Sequence, residues 1–363
     1  MSSVGTRSIG AGERGSGWLR GPSFDLTFVL GVLSLALAAG GIALLGPSFF
    51  MAVLLADFWL LAYPHVASTF TRIALDRGSI RDNRFLLFGL PPMVLAATGA
   101  AAWVGGAVAL NTIYFYWQSY HYTRQSYGIA RAYRRSSQHS SQHSPQHSSQ
   151  HSSQQDATGR DWLTDAVVLG FPLWGLLQRA AEQQPAFYGA PFLAPAVPWL
   201  VVHLAGAAAL VSLTLWGVRQ ARALASGHRE QLGTTLFVGS HVAITAVSYL
   251  IARDITKGWL FVNVWHNAQY IIFVWAANAR RFQGGVDPER RFLSWMCQPE
   301  RAVVYGAVCL GLGAAFYFAL GRFASLLPSD VLPVVLTLHL AVNFHHYLVD
   351  SVIWRAPRLA RAR

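Results

Sequence analysis

The run Phe261-Val-Asn-Val-Trp-His-Asn-Ala-Gln-Tyr-Ile-Ile-Phe-Val-Trp275 is apolar enough to lie in a membrane, yet it carries His266, Asn267, Gln269 and Tyr270 at its centre. Left unpaired in hydrocarbon, each of these polar groups would cost several kcal/mol. A helix of this kind must turn that face to protein or to a cavity. Three other apolar segments carry histidine in the same way, at His65, at His121 and at the pair His345 and His346. The chain reads as a scaffold that brings these four segments together.

Composition supports the membrane reading. Of the 363 residues 53% are hydrophobic and only 12% charged, a balance foreign to a water-facing surface. The formal net charge of +12 raises the question of nucleic acid. A nucleic-acid binder gathers its basic residues on one face, whereas here they punctuate the apolar runs, so no nucleic-acid partner is expected. Two cysteines, Cys297 and Cys309, lack the spacing of a cysteine-based zinc site or a disulfide framework. The stretch up to Arg20 is rich in Gly, Ser and Arg and has no apolar core, so no cleaved signal peptide is expected before the first span.

A spanning helix needs about 20 mostly apolar residues. Windows of that size fall near 24–45, 50–71, 85–104, 107–127, 162–178, 198–218, 232–251, 258–278, 302–322 and 331–354. The expected fold is therefore an all-α polytopic membrane bundle of about ten transmembrane helices. With the amino terminus inside, basic clusters such as Arg72/Arg77/Arg81/Arg84, Arg131/Arg134/Arg135 and Arg280/Arg281/Arg290/Arg291 all fall on the cytoplasmic side, where the positive-inside rule puts them. Both termini are then cytoplasmic, and the cytoplasmic membrane of a bacterium is the expected location. The divisions are a tail over 1–23, four helices over 24–135, a linker over 136–160, six helices over 161–354 and a basic tail over 355–363. The linker holds a Ser-Gln-His tract with His139, His143, His147 and His151 four residues apart; it reads as a disordered tether, with metal gathering as the sharper alternative.

Neither a phosphate-binding Gly-x-x-x-x-Gly-Lys loop nor a Gly-x-Ser-x-Gly elbow is present, which argues against nucleotide and ester chemistry. The chemistry rests on histidine instead. His65, His121, His266 and His345 sit on even-numbered spans that run in one direction, at similar depth. A lone intramembrane histidine is commonly an interhelical hydrogen-bonding residue; four at one depth point to a metal. Neutral imidazole suits iron, zinc or copper, and a histidine-only set leans to a redox metal left open for a small ligand. Aromatic residues crowd the same stretches, at Tyr114-Phe-Tyr-Trp117, Tyr120, Tyr122, Trp265, Phe273 and Trp275. They are either lipid-interface packing or the wall of a tunnel for a long apolar substrate. Gln118, Asn267 and Gln269 are placed to orient imidazoles, and Asp350, five residues after His345, is an intramembrane carboxylate able to pair with a histidine.

In order and placement these motifs resemble the Brp/Blh-type membrane-bound β-carotene dioxygenase family. Pro64-His65 matches that family's Pro-His in an early span, and His121 its middle-span histidine. His266 with Phe273-Val-Trp275 matches a later span in which the family has two histidines four residues apart; Tyr270 stands in place of the second. His345, Asp350 and Val352-Ile-Trp354 match the last span. The resemblance implies Fe(II) held by His65, His121, His266 and one of His345 or His346, with zinc or copper as lesser alternatives. It also implies dioxygen and a lipid-soluble polyene as reactants, in a site embedded among membrane lipid; Tyr270, Gln269 and Asp350 are candidate catalytic groups by their own chemistry and placement. Alternatives from other classes are a lipid desaturase or hydroxylase, a histidine-based transporter and a haem-binding electron carrier.

Overall fold

The computed structural model describes residues 17–142, 161–327 and 333–354. It is all-α apart from one two-stranded antiparallel hairpin, β1 (Ala186–Phe187) and β2 (Ala190–Pro191). In chain order the helices are α1 (Pro22–Leu44), α2 (Pro47–Thr71), α3 (Arg77–Asp82), α4 (Leu90–Gln142) and α5 (Trp162–Ala181). They continue as α6 (Trp199–Ala225), α7 (Leu232–Ala246), α8 (Ile255–Arg281), α9 (Arg291–Met296), α10 (Ala302–Ala324) and α11 (Val334–Ile353).

Local chemistry sets these boundaries. Pro22 and Pro47 open α1 and α2, where a missing N–H costs nothing. Asp161 and Asp254 cap α5 and α8, their carboxylates accepting backbone N–H bonds from Thr164 (3.2 Å) and from Thr256 and Lys257 (2.8 and 2.9 Å). α4 is broken at Gly106, whose φ of 58° with ψ of −152° is open to glycine and almost closed to other residues. The break falls between the windows expected for the third and fourth spans. The tether expected from Ser136 begins inside α4, which continues to Gln142; residues 143–160, with His143, His147 and His151, lie outside the described residues, as do the terminal tails up to 16 and from 355.

Among the described residues, six helical stretches are long and apolar enough to cross a membrane: Pro22–Leu44, Pro47–Thr71, Phe85–Gln138, Trp199–Ala225, Arg229–Ile251 and Pro299–Ala324. Their outward faces carry side chains such as Trp103, Leu200 and Val303, the last 86% exposed, which water would not tolerate in such number. The chain is an all-α membrane protein. α5, α8 and α11 are of comparable length but carry more polar side chains, and two of them bear the histidines.

The helices form two compact units. One comprises, among the described residues, 17–34, 122–142, 161–182 and 196–253. It is held by α5, α6 and α7, with Arg219 gripping the Asp161 carboxylate through two bonds (2.9 and 2.6 Å) and Arg134 paired to Asp165 at 2.7 Å. His241 of α7 meets the carbonyl oxygen of Val168 at 3.0 Å, so in this unit a histidine closes a helix-helix contact.

The other unit comprises, among the described residues, 35–121, 183–195, 254–327 and 333–354. Its centre is α8, whose residues 258–270 are all buried. α10 lies against the backbone of α2: a methyl group added at Gly313 would stand 2.7 Å from the Tyr63 carbonyl carbon, so only glycine permits that approach. Within α2 a π turn spans Phe58–Ala62, next to Pro64, which lacks an N–H to continue the regular ladder. The π turn absorbs a residue. Asp57 and His65, about 80° out of phase in an unbroken α-helix, consequently both face α8.

Candidate metal centre

Four helices of the second unit each deliver one imidazole to a common point: His65 from α2, His121 from α4, His266 from α8 and His346 from α11. All four are buried. One ring nitrogen each from His65, His121 and His346 lies within 4.8 Å of the other two. Nε2 of His65 and Nε2 of His346 are 2.6 Å apart, a separation that demands a proton or a cation between them. The His266 ring completes the cluster, its centroid 4.8 Å from that of His65 and 4.9 Å from that of His121.

On three of the four helices a second turn supports the first. Four residues after His65 comes Thr69, four after His266 comes Tyr270 and four after His346 comes Asp350, so each partner shares a helix face with its histidine. Thr69 Oγ1 donates to Asp350 Oδ1 (3.3 Å) and lies 2.9 Å from Nδ1 of His346 and 2.8 Å from the Tyr270 hydroxyl. Thr69 has one proton to give, to Asp350 or to the Tyr270 hydroxyl, and in either case accepts from Nδ1–H of His346. That tautomer, assigned from the network, leaves the Nε2 lone pair of His346 facing His65. The Tyr270 hydroxyl donates to Asp350 and accepts from the Trp354 indole N–H at 3.3 Å. The other carboxylate oxygen of Asp350 stands 3.7 Å from Nε2 of His346 and 3.9 Å from Nε2 of His121, too far for a hydrogen bond and within reach of a shared ion.

The donor set suits a metal. Three imidazole nitrogens converge, a carboxylate oxygen stands within 4 Å of two of them, a fourth imidazole lies beside them, and a neighbouring hydroxyl orients one of the rings, the second-shell arrangement typical of metal sites. Aromatic rings exclude water on the remaining sides: Tyr347 stacks on His121 at 4.3 Å and Tyr270 lies 4.3 Å from His65.

The adjacent pair on α11 divides its labour. His346 enters the cluster, whereas Nε2 of His345 bonds the Leu86 carbonyl oxygen at 2.7 Å and its ring stacks on Phe70. Neighbouring helical positions point about 100° apart, so only one of the two can face the site. His345, a candidate ligand by sequence, is a structural contact. Gln269 is fully buried and neither amide atom finds a hydrogen-bond partner among the described residues, while Tyr270 and Asp350 sit against the histidines. Asn267 turns from His266 to Asp57, donating at 3.3 Å, and Asn263 donates to the same carboxylate; Gln118 links Asn263 (3.3 Å) to the Trp259 indole (2.8 Å). Sequence reading passed over Thr69 and Tyr347. The signal for Thr69 was its i+4 spacing from His65.

No family model, curated protein or solved structure matches the chain.

Proposed function

We propose that the chain is a membrane-embedded, histidine-ligated non-haem iron oxygenase that acts on a lipid-soluble substrate with dioxygen, oxidative cleavage of a carotenoid-like polyene being the form of the reaction its motifs resemble. It crosses the membrane ten times, with both termini cytoplasmic. The observation that carries the reading is the convergence of His65, His121 and His346 on one buried point, with His266 and the Asp350 carboxylate beside it. A histidine set with a carboxylate beside it, and no cysteine, is a donor set that would suit iron better than the cysteine-rich sets of structural zinc. Crowding of four imidazoles and the Tyr270 ring leaves no flat slot between opposed ligands for a porphyrin, which favours a non-haem centre.

His65, His121 and His346 would hold the ion, with His266 as a fourth nitrogen. Iron bound there supplies oxygen activation beside an alkene. The protein's own groups supply the rest. Asp350 receives the Thr69 and Tyr270 hydroxyl protons and so holds both side chains in place. The Tyr270 phenol stands beside His65 with its proton held by Asp350. The aromatic rings keep the site dry, which strengthens each of these polar contacts.

The test is turnover by purified protein in nanodiscs, supplied with Fe(II), dioxygen and a panel of polyenes and unsaturated lipids, with product analysis by mass spectrometry. Oxygen-dependent conversion that vanishes in His121→Ala is expected. No conversion across the panel by protein carrying stoichiometric iron would reject the oxygenase assignment.

A further inference from the structure

Beside the histidine cluster, in the same unit, an apolar groove of about 320 Å³ opens between α4 and α11. Met93, Ala97 and Thr98 line one side, Ile113 and Trp117 continue along α4 beyond the Gly106 break, and Phe344 forms the wall from α11. The Thr98 hydroxyl is spent on the Val94 carbonyl oxygen at 2.7 Å, so the groove presents hydrocarbon and aromatic surface. Met93 is 59% and Ile113 39% exposed, so the groove opens sideways from a helical stretch apolar enough to lie in lipid.

Its inner wall is the aromatic packing of the metal centre. Trp117 stacks on Phe344 at 4.9 Å, and both rings touch Tyr347, at 6.2 and 6.3 Å. Tyr347 in turn stacks on His121 at 4.3 Å. Two rings in succession, Trp117 or Phe344 in the lining and Tyr347 behind it, separate the groove from a candidate ligand. Its size restricts the occupant: an α-helix with side chains is about 10–12 Å across and does not fit. The volume lies at the small end of ligand sites, enough for one hydrocarbon chain or terminal ring and too little for a folded partner.

We infer that the groove between α4 and α11 seats a hydrocarbon chain of the lipid-soluble substrate, which enters laterally from the bilayer and is positioned against His121 through Tyr347; this rests on reading the histidine cluster as the reaction centre. Trp117 is then a specificity-determining residue, its indole forming the end of the seat, and Ala97 sets the width.

Full-length protein in phosphatidylcholine nanodiscs tests this by fluorescence, with a dibrominated long-chain alkane as quencher at rising mole fraction. The Trp117 signal is isolated as the difference between wild type and Trp117→Phe, a substitution that keeps an aromatic ring in place. Saturable quenching of that component is expected, with half-saturation raised at least tenfold in Ala97→Phe and iron content unchanged. A quenching curve identical in Trp117→Phe and wild type overturns the proposal. So does saturable quenching only by a brominated phosphatidylcholine, which makes the groove a seat for bilayer lipid. Saturable alkane binding in wild-type protein that holds no iron would leave the chain site standing and remove the oxygenase reading, so the two failures are distinguishable.

Discussion

Thr69→Val separates orientation of the metal site from its composition. Valine keeps the shape of the side chain and removes the hydroxyl, which touches His346 Nδ1 at 2.9 Å, the Tyr270 hydroxyl at 2.8 Å and Asp350 Oδ1 at 3.3 Å. A neutral hydrogen bond contributes about 0.5–1.5 kcal/mol and one to a charged group about 1.5–3 kcal/mol, so losing these three contacts destabilises the fold by about 2–4 kcal/mol after allowing for non-additivity. The effect on the site is larger in kind. Nδ1–H of His346 loses its acceptor, the imidazole is free to rotate or change tautomer, and Nε2 is no longer held toward His65. Removal of such an outer partner lowers metal affinity about 10- to 100-fold. Competition titration of purified protein against a chromophoric chelator reads this directly, with Thr69→Ser expected to restore most of the loss. Native affinity in Thr69→Val would refute the argument that Thr69 fixes the His346 tautomer.

Other consequences follow from single contacts. His346→Ala is expected to abolish metal binding while His345→Ala retains it, with a stability loss of about 1–3 kcal/mol from the unpaired Leu86 carbonyl; metal analysis of the two variants checks the division. Gly313→Ala drives a methyl group into the Tyr63 carbonyl, costs about 1–3 kcal/mol and displaces α2 with its histidine, so thermal stability and metal content should fall together. At Asp161 burial raises the carboxyl's pKa, but the bonds from Arg219 and Thr164 outweigh it and hold the group below the usual carboxylate range. Because the folded value is the lower one, the stabilisation is present above about pH 4, the unfolded value, and is lost as pH falls through the folded one. Asp161→Asn should flatten the acid limb of a stability-against-pH curve, and an unchanged limb would show that the ion pair contributes nothing.

Much of this architecture was legible in the sequence because membrane helices announce themselves by length and hydropathy. The polar centre of 261–275 identified the helix that is buried through residues 258–270, since His266 and Asn267 in an apolar run need protein on every side. The windows 85–104 and 107–127 left the break in α4 between them, although Gly106 itself was not singled out. Side-chain phase was harder. His345 and His346 are equivalent to any count of residues, and only the carbonyl of Leu86 on one side and the cluster on the other distinguish them. The part played by Asp57 was hidden, because the π turn that carries it onto the α8 face has no pattern in the sequence. Thr69 and Tyr347 carry no charge that marks them, and their parts emerge from contacts made over hundreds of residues. The continuation of α4 through Ser136 to Gln142 reflects the low cost of extending a helix already nucleated, even into a polar tract.

The central claim is that four helices bring their histidines together to bind one metal ion. Elemental analysis of detergent-purified protein lacking residues 136–155, whose histidines would confound the count, measures this against the same protein carrying His65→Ala, His121→Ala or His346→Ala. About one iron per chain, lost in each variant, is the predicted result. Full metal retention in all three variants, or no stoichiometric metal in the parent, would contradict it.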